Sequence, residues 1–323
     1  MHQRTLALNS RFHGVKNILI AVVIFLAGIL LLVKGSDILV DGAGGLASRY
    51  GVSPATIGLT VVAFGTSLPE LVVTAQAFRL GDYAIGTGNV IGSNIVNIGL
   101  VLALVFVFMP TAAGGAASRS HLRTTGFLAL GAAGVFLLFS LRGTFDLFSG
   151  IIFLAIFSLM IFWMWKTGAV VEAVIDPNRR HPVLRTLAGL VMVVAGAPLL
   201  LSGAISIAEA FSIPSSVIGL TMVAIGTSLP ELTTSIIATM RKSHGVAVGN
   251  IVGSNIFNLL FVIGLNSLVF SIPAPEMKDT LVMIGFSVAV IPLFISNSRM
   301  ARLWGGLLFC AYIIYVLRLY GVV

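Results

Sequence analysis

The sequence predicts an all-α integral membrane protein with ten transmembrane helices, arranged as two inverted five-helix repeats. The first observation behind this prediction is composition: 58% of the 323 residues are hydrophobic and 9% are charged, whereas soluble domains carry about 25% charged residues. The second is a succession of apolar stretches of about 20 residues, each long enough to cross a hydrocarbon core about 30 Å thick. The third is a motif that occurs once in each half.

The apolar stretches define the predicted spans. They cover residues 17–40, 54–79, 83–109, 124–141, 145–165, 185–211, 215–240, 245–271, 278–296 and 301–320. The first stretch is too long for the hydrophobic region of a signal peptide, so we interpret it as a retained span. The only cysteine, Cys310, lies in the last span, which excludes an intramolecular disulfide.

Lysine and arginine residues near the span ends predict the orientation of the chain. Eleven of them lie near the loops that follow odd-numbered spans, and seven lie near the opposite side. The richer side is expected to be cytoplasmic. We therefore expect a multi-pass protein of the cell membrane with both termini outside.

Each half of the chain forms one predicted repeat. Residues 1–165 form the N-terminal five-helix repeat, residues 166–184 a cytoplasmic linker, and residues 185–323 the C-terminal inverted repeat. The net charge is +8, but the basic residues are scattered among short loops. We therefore expect the lipid bilayer, and no nucleic acid, as a partner, and we expect the chain to function as a monomer.

The repeat is visible as sequence identity between the halves. A shift of 161 positions aligns Ile57–Asn97 with Ile218–Asn258 without a gap, and 21 of the 41 positions are identical. Many of the identical positions are polar residues, glycine or proline. The apolar composition that the two halves share would not by itself make these positions identical. Because each half carries five spans, an odd number, the second half must cross the membrane in the opposite direction, as in secondary transporters.

The string GTSLPE, at residues 65–70 and 226–231, places a proline and an ionisable residue inside an apolar run. Pro69 and Pro230 each remove a backbone donor and disrupt the helix. Irregular backbone at membrane depth is tolerated only beside protein or a cavity. The two strings therefore predict helix breaks that face a binding site.

The residues around the two breaks offer oxygen ligands only. The first set comprises the carbonyl oxygens of Ala63 and Ala224, which we expect to be bare, the hydroxyls of Thr66, Ser67, Thr227 and Ser228, and the carboxylates of Glu70 and Glu231. The segments GNVIGSNIVN and GNIVGSNIFN add Ser93 with Asn97 and Ser254 with Asn258, each pair four residues apart on one helix face. Hard cations such as Ca²⁺ and Na⁺ prefer such ligands.

Structural roles compete with ion binding at these positions. A single buried glutamate could be protonated and a single proline could only kink a helix, but matched copies in inverted halves favour an ion site. A further group is interpreted as helix caps or bonds between helices rather than as ligands: Asn89, Asn94, Asn250 and Asn255. Lys34, Asp37 and Asp41 share a face of the first span. They could collect cations at an entrance, but we favour ordinary helix-end charges with a Lys34–Asp37 pair.

With these paired motifs in two inverted halves, the chain resembles the sodium/calcium exchanger family of the cation/calcium antiporter superfamily. The resemblance covers the ten-span layout, and its motifs are specific over about 40 residues of each half. It implies a secondary antiporter that exchanges Na⁺ for Ca²⁺ by alternating access, without a cofactor. It also implies that Glu70 and Glu231 bind both ions and that the first and sixth spans slide over the rest. The residues that it assigns to the surrounding cation sites are Thr66, Ser67, Ser93, Asn97, Thr227, Ser228, Ser254 and Asn258, with the carbonyls of Ala63 and Ala224.

Two departures from the family pattern affect the expected function. Some exchangers of this family carry Asp where this chain has Asn258, so the number of Na⁺ ions per Ca²⁺ does not follow from the resemblance. Animal relatives also carry a large regulatory insert after the fifth span, whereas the linker here has fewer than 20 residues. No internal calcium-sensor domain fits there.

Three alternative functions are weighed against Na⁺/Ca²⁺ exchange. A proton-coupled antiporter of the same superfamily could carry Ca²⁺, Mn²⁺ or another divalent ion, but such proteins typically carry a GNxxE motif in place of GTSLPE. A cation channel usually gathers identical subunits around a pore. A membrane enzyme would need a nucleophile with its base or a metal triad, and no histidine lies in the core of the repeated motifs.

Overall fold

The computed structural model of the chain describes residues 2–108, 116–167, 181–210, 226–295 and 297–319. Most of these residues are helical, which confirms the predicted helical class. The first half begins with α1 (His2–Tyr50), a continuous helix that extends beyond the predicted first span. It continues with α2 (Pro54–Ile57), a π-helical turn (Gly58–Val62), α3 (Ala63–Thr66), α4 (Leu68–Arg79), α5 (Tyr83–Val96), a second π-helical turn (Asn97–Leu102), α6 (Ala103–Phe108), α7 (Ala116–Ser140), β1 (Thr144–Phe145) and α8 (Leu147–Thr167).

The described part of the second half has a similar order of elements. It comprises α9 (Pro182–Ala210), α10 (Leu229–Met240), α11 (His244–Ile256), a π-helical turn (Phe257–Val262), α12 (Ile263–Ser267), β2 (Ile272–Pro273), α13 (Met277–Ala289), α14 (Ile291–Ile295) and α15 (Ser298–Leu319). The two short strands pair in antiparallel fashion, with Thr144 opposite Pro273. This pairing joins a loop of the first half to a loop of the second.

Six helices in the described ranges are long and apolar enough to cross a membrane. They cover Ile18–Tyr50, Tyr83–Phe108, Leu147–Lys166, Pro182–Ile207, His244–Ser267 and Ser298–Leu319. Pro54–Thr66 and Leu68–Arg79 form a bent pair that adds a seventh if it is one span, and a shorter apolar helix covers Thr124–Ser140. The helices therefore fit a multi-pass membrane protein, while the number of ten spans stays a prediction.

Helices α1 and α9 pack closely along a line of glycines. Six glycines, spaced by seven residues within each helix, lie in this contact: Gly28, Gly35, Gly42, Gly189, Gly196 and Gly203. A β-carbon added to Gly28 would lie 2.3 Å from the Leu200 nitrogen, and one added to Gly42 would lie 2.5 Å from the Thr186 nitrogen. Only residues without a side chain allow backbones to approach so closely. Since later residues of α1 meet earlier residues of α9, the two helices are antiparallel.

We expect Gly189→Ala to weaken this contact. The added carbon would lie 2.4 Å from the Leu39 nitrogen, so the backbones must separate, and overpacking of this kind costs about 1–3 kcal/mol. The matched control is Gly134→Ala in α7, where no atom lies within 4 Å of the added carbon. Thermal unfolding of the purified protein should give a lower midpoint for Gly189→Ala and an unchanged or higher one for Gly134→Ala, because alanine is the better helix former. An unchanged midpoint for Gly189→Ala would contradict the packing.

The buried hydrophobic residues form two clusters. The larger one joins residues of α4–α8 to residues of α11–α15. The smaller one lies where α1 and α9 meet other helices, and it includes Leu39 of α1, Val193 of α9 and Ala238 of α10. The α1–α9 pair therefore packs on the remaining helices through a hydrophobic contact of its own.

Charged side chains connect α1 to α9 and to the end of α10. Asp41 pairs with Arg185 of α9, and Asp37 pairs with Arg241, the residue that follows α10. Arg241 also approaches Asp41 at 3.8 Å. This corrects the pairing of Asp37 with Lys34 predicted from the sequence. The arginine comes from the other half of the chain, and helical spacing within α1 cannot reveal such a partner.

Candidate cation-binding site

The first GTSLPE string forms a break between two helices, and the described residues of the second string have the same geometry. In the first half, α3 ends at Thr66, α4 begins at Leu68, and the helical segments on either side are bent by 42°. Ser67 at this break has φ −90° and ψ 8°, and its counterpart Ser228 has φ −86° and ψ 5°. The prolines lie in the first turn of the following helices, where a missing N–H leaves no helical hydrogen bond unmade. The two strings therefore share one local conformation.

Glu70 and Glu231 lie in the first turns of α4 and α10, and both are completely buried. The positive end of the helix dipole favours a carboxylate at such a position. The two carboxyl groups are near enough to interact electrostatically. No ion pair between described residues involves either group. A like-charged pair without a basic partner requires compensation from elsewhere.

Serine hydroxyls reach these glutamates from the opposite half of the chain. Ser67 donates a hydrogen bond to Glu231 Oε1 at 2.8 Å, and Ser228 donates one to Glu70 Oε1 at 3.5 Å. Ser254 adds a second bond to Glu231 Oε1 at 3.1 Å. Each helix break thus contacts the carboxylate of the other repeat, which brings the two halves together at one place.

Four buried oxygen atoms of the two repeated motifs have no hydrogen-bond partner within the described residues. They are Glu70 Oε2, Glu231 Oε2, Asn97 Oδ1 and Asn258 Oδ1. A buried polar atom without a partner is costly and calls for an explanation in a native structure. Because all four atoms are acceptors, a cation is the ligand that would satisfy them.

Asn97 and Asn258 lie where two helices change to π-helical geometry. The turn that follows α5 begins at Asn97, and in the turn that follows α11 Asn258 is the second residue. Such turns frequently occur at functional sites. Asn97 Nδ2 donates to Asn255 Oδ1 at 3.0 Å, so the Oδ1 atom of Asn97 is the one left free. Asn258 has neither side-chain atom paired.

The other hydroxyl groups predicted as ligands, those of Thr66, Ser93 and Thr227, lie close to the same group of side chains. Thr66 and Ser93 are completely buried, and Thr227 is 8% exposed. The hydroxyls of Ser93 and Thr227 are 3.4 Å apart. Thr66 also faces the carboxylate of Glu231, and Ser93 faces that of Glu70. The structure therefore gathers hydroxyl groups of both repeats around both carboxylates.

The Ala63 carbonyl, which the sequence predicts to be without a hydrogen bond, has one in the structure. The Ala63 carbonyl accepts the Ser67 N–H at 3.0 Å, so the helix break does not leave it bare. The bond spans the four residues of an ordinary helical turn, which continues past the position where the sequence predicts the disruption. A carbonyl oxygen has a second lone pair, which can still face a cation. Ala224 lies outside the described residues.

Of the asparagines interpreted as caps or bonds between helices, Asn89, Asn250 and Asn255 make bonds between helices, whereas the side chain of Asn94 bonds within its own helix. Asn250 Oδ1 accepts from Thr66 Oγ1 at 3.0 Å, and Asn255 Nδ2 donates to the Asn94 carbonyl at 3.3 Å. Asn94 Nδ2 donates to the Val90 carbonyl, one turn back, at 2.7 Å. These contacts agree with the interpretation for Asn250 and Asn255 but not for the Asn94 side chain.

The arrangement can hold a cation that has shed its water. Its ionisable groups are two carboxylates, and its other polar atoms belong to hydroxyls and side-chain amides. No cluster of three or more His, Cys, Asp or Glu occurs among the described residues. Oxygen ligands with few charges suit hard cations rather than transition metals.

Comparison with known proteins gives consistent results. A family model described as sodium/calcium exchanger protein matches residues 20–166 and 181–321, one segment in each half. An uncharacterized membrane protein of Methanocaldococcus jannaschii is 36% identical over 306 residues, with 91% of this chain and 96% of that protein covered. The sodium/calcium exchanger MaX1 of Methanosarcina acetivorans is 29% identical over 332 residues, with 88% and 93% covered.

A solved structure of the sodium-calcium exchanger NCX_Mj, soaked with zero Na⁺ and Ca²⁺, is similar to this chain in both fold and sequence. The match has a TM-score of 0.79 and 33% identity, and it covers 94% of this chain and 99% of that one. A second structure of the same exchanger, soaked with 2.5 mM Na⁺ and 0.1 mM Ca²⁺, matches with a TM-score of 0.78.

Proposed function

The chain belongs to the sodium/calcium exchanger protein family, and on that premise we propose that it exchanges Na⁺ for Ca²⁺ across the cell membrane by alternating access. Its relatives are transporters and not enzymes. The proposal assigns Ca²⁺ and Na⁺ as the transported ions.

The observation that carries this proposal is the set of four unpaired buried oxygens. Two belong to carboxylates and two to amides, and each of the two repeats supplies one of each kind. A single Ca²⁺ would balance the charge of Glu70 and Glu231, and Ca²⁺ takes six to eight oxygens at about 2.3–2.6 Å. The carboxylates, the amide oxygens of Asn97 and Asn258, and neighbouring hydroxyls offer that number.

Na⁺ would use the same carboxylates together with the neutral oxygens beside them. Its single charge makes hydroxyl and carbonyl oxygens adequate ligands. Those available are the hydroxyls of Thr66, Ser67, Ser93, Thr227, Ser228 and Ser254 and the carbonyls of Ala63 and Ala224. Because both ions need the same two carboxylates, they would compete, and competition for one site is what couples the two fluxes.

We further propose ten spans in two inverted halves, residues 1–165 and 185–323, joined by the linker 166–184. A contact near the end of α10 supports opposite directions. A β-carbon added to Gly245, in the first turn of α11 just after α10 ends, would lie 3.0 Å from the Ala55 nitrogen, in the segment that leads to α4. Helix α10 therefore ends at the side where that segment begins. Helices α4 and α10 correspond under the shift of 161 positions. Their opposite directions are what an inverted repeat requires.

Alternating access is supported by the way α1 and α9 pack. The two helices contact each other along glycines and meet the remaining helices through a separate hydrophobic cluster. We propose that they slide as a pair over the other helices and open the site to one side at a time.

Both termini are proposed to lie outside, with the linker in the cytoplasm. In a Cys310→Ser background, Asn178→Cys should resist an impermeant thiol reagent added to intact cells, because the linker follows the fifth span. Glu276→Cys, in a loop predicted to lie outside, should be labelled under the same conditions. Labelling of Asn178→Cys together with protection of Glu276→Cys would show that the orientation is the reverse.

Uptake into vesicles tests the coupling ion. Purified protein in Na⁺-loaded vesicles, diluted into Na⁺-free buffer, should accumulate ⁴⁵Ca²⁺, whereas an imposed pH gradient without Na⁺ should not drive uptake. Uptake driven by the pH gradient and indifferent to Na⁺ would instead establish the proton-coupled alternative.

A further inference from the structure

Two chains of hydrogen bonds lead away from the cation site, and each crosses from one repeat to the other. In the first, Thr66 Oγ1 donates to Asn250 Oδ1 at 3.0 Å, and Asn250 Nδ2 donates to Ser235 Oγ at 3.1 Å. Ser235 Oγ then donates to the Ala247 carbonyl at 3.4 Å. The chain starts beside the Glu231 carboxylate and ends on the backbone of α11.

The second chain consists of the corresponding residues of the other repeat. Thr227 Oγ1 donates to Asn89 Oδ1 at 3.4 Å, and Asn89 Nδ2 donates to Thr74 Oγ1 at 3.0 Å and to the Glu70 carbonyl at 3.4 Å. The shift of 161 positions relates the members of the two chains: Thr66 to Thr227, Asn89 to Asn250, and Thr74 to Ser235. In each chain the threonine and the asparagine belong to different halves.

The backbone carbonyl at the far end fixes the direction of each chain. A carbonyl oxygen can only accept, so Ser235 must donate to Ala247 and must accept from Asn250. The amide nitrogen of Asn250 therefore faces Ser235, and its oxygen faces Thr66. The Glu70 carbonyl orients Asn89 in the same way. The assignment of oxygen and nitrogen in each amide therefore follows from its hydrogen-bond partners.

This direction determines what the threonines offer to the cation site. Since an amide oxygen accepts the hydroxyl proton in each chain, that proton points away from Glu70 and Glu231, and the hydroxyl oxygen can present a lone pair to the site. We propose that Asn89 and Asn250 are positioning residues that hold the hydroxyls of Thr227 and Thr66 as oxygen ligands for Na⁺. Without them, the threonine hydroxyls could turn and donate to the nearby carboxylates, which would remove Na⁺ ligands.

The effect should be larger for Na⁺ than for Ca²⁺, and this part rests on the proposed function. The charge of Ca²⁺ is met by the two carboxylates, whatever the direction of the threonine protons. Na⁺ ions bound in excess of the carboxylate charge depend on neutral oxygens. A threonine hydroxyl that donates its proton to a carboxylate therefore weakens Na⁺ binding more than Ca²⁺ binding.

The experiment compares half-saturation by the two ions in the reconstituted protein. Na⁺ affinity is measured from Na⁺-dependent ⁴⁵Ca²⁺ efflux, and Ca²⁺ affinity from Ca²⁺/Ca²⁺ self-exchange without Na⁺. Asn250→Leu should raise the half-saturating Na⁺ concentration about fivefold or more, the size of one lost hydrogen bond, and the Ca²⁺ value by less than about twofold. Asn250→Asp, which keeps an acceptor for Thr66, should restore most of the Na⁺ affinity.

The chain offers a matched control in Asn266, a buried asparagine of α12 whose Nδ2 donates to the Val262 carbonyl at 2.9 Å. Asn266→Leu should leave both half-saturating concentrations unchanged. Ser235→Ala, which removes the third member of the chain, should shift the Na⁺ value in the same direction as Asn250→Leu, and it serves as the test if Asn250→Leu does not fold.

Equal shifts for both ions, or no shift for Na⁺, would overturn the positioning role. A failure of the proposed function would be recognised separately, because the unsubstituted protein would then show no Na⁺-dependent efflux at all.

Discussion

Replacing Glu70 or Glu231 by glutamine is expected to reduce Ca²⁺ transport by at least about 100-fold. Each substitution removes one of two completely buried carboxylates, so a bound Ca²⁺ would keep an unbalanced charge. Such a charge costs several kcal/mol in a buried site, and about 2.8 kcal/mol already corresponds to 100-fold. Glutamine has almost the same volume and keeps one acceptor oxygen, so α4 and α10 should retain their packing. Initial rates of Na⁺-driven ⁴⁵Ca²⁺ uptake in vesicles measure the effect.

The matched control is Glu276→Gln. Glu276 is an exposed carboxylate 3.6 Å from the Lys278 ammonium group, and exposed pairs of this kind contribute little. Its uptake rate should equal that of the unsubstituted protein. If Glu70→Gln or Glu231→Gln were folded and transported Ca²⁺ at the normal rate, the assignment of the carboxylates would be wrong.

Membrane voltage is expected to shift the Ca²⁺ gradient strongly. The empty site carries two negative charges when both glutamates are ionised, and the neutral hydroxyls of Thr66, Ser93, Thr227 and Ser254 allow Na⁺ to spread beyond the carboxylates. We therefore expect three Na⁺ per Ca²⁺, which moves one net charge per cycle. One charge in 100 mV is worth about 2.3 kcal/mol, so this voltage should change the equilibrium Ca²⁺ ratio about 40-fold.

The measurement uses vesicles clamped with K⁺ and valinomycin. Both the initial rate of Na⁺-driven uptake and the point at which net flux reverses should follow the imposed voltage. If neither responds, exchange is electrically neutral, with two Na⁺ per Ca²⁺. That result would agree with an interpretation in which Asn258, neutral where some relatives carry Asp, limits the positive charge that the site can hold.

The sequence was sufficient to predict which residues share a neighbourhood. Glu70 and Glu231 occupy equivalent places in two copies of one motif, and the structure buries both and brings the serines of each copy to the glutamate of the other. That Ser254 and Asn258 share a face, as four-residue spacing indicates, stays a prediction. These predictions depend on local geometry and on the repeat, both of which can be read along the chain.

Contacts between distant segments could not be predicted in the same way. Asp37 pairs with Arg241, about 200 positions away in the chain, so helical periodicity points to nearby Lys34 instead. The Ala63 carbonyl is engaged by Ser67 because the backbone keeps one more helical turn than the proline suggests. Which group donates, as between Asn250 and Ser235, depends on further neighbours that come together only in the folded chain, so it cannot be predicted from the sequence.

One feature of the packing was present in the sequence and was missed. Gly28, Gly35 and Gly42 recur every seven residues, and the shift of 161 positions places Gly189, Gly196 and Gly203 opposite them in the second half. Two matched glycine series in the first and sixth spans are a signal for close helix packing. An alignment extended upstream of Ile57 would have detected it.

Equilibrium binding of ⁴⁵Ca²⁺ to the purified protein in detergent, titrated with NaCl and, at matched ionic strength, with KCl, tests most directly whether the two ions share one site. We expect one Ca²⁺ per chain, displaced by Na⁺ but not by K⁺, and no binding to the variant that carries both Glu70→Gln and Glu231→Gln. Ca²⁺ that stays bound in the double variant, or that Na⁺ does not displace, would contradict a single site shared by the two ions.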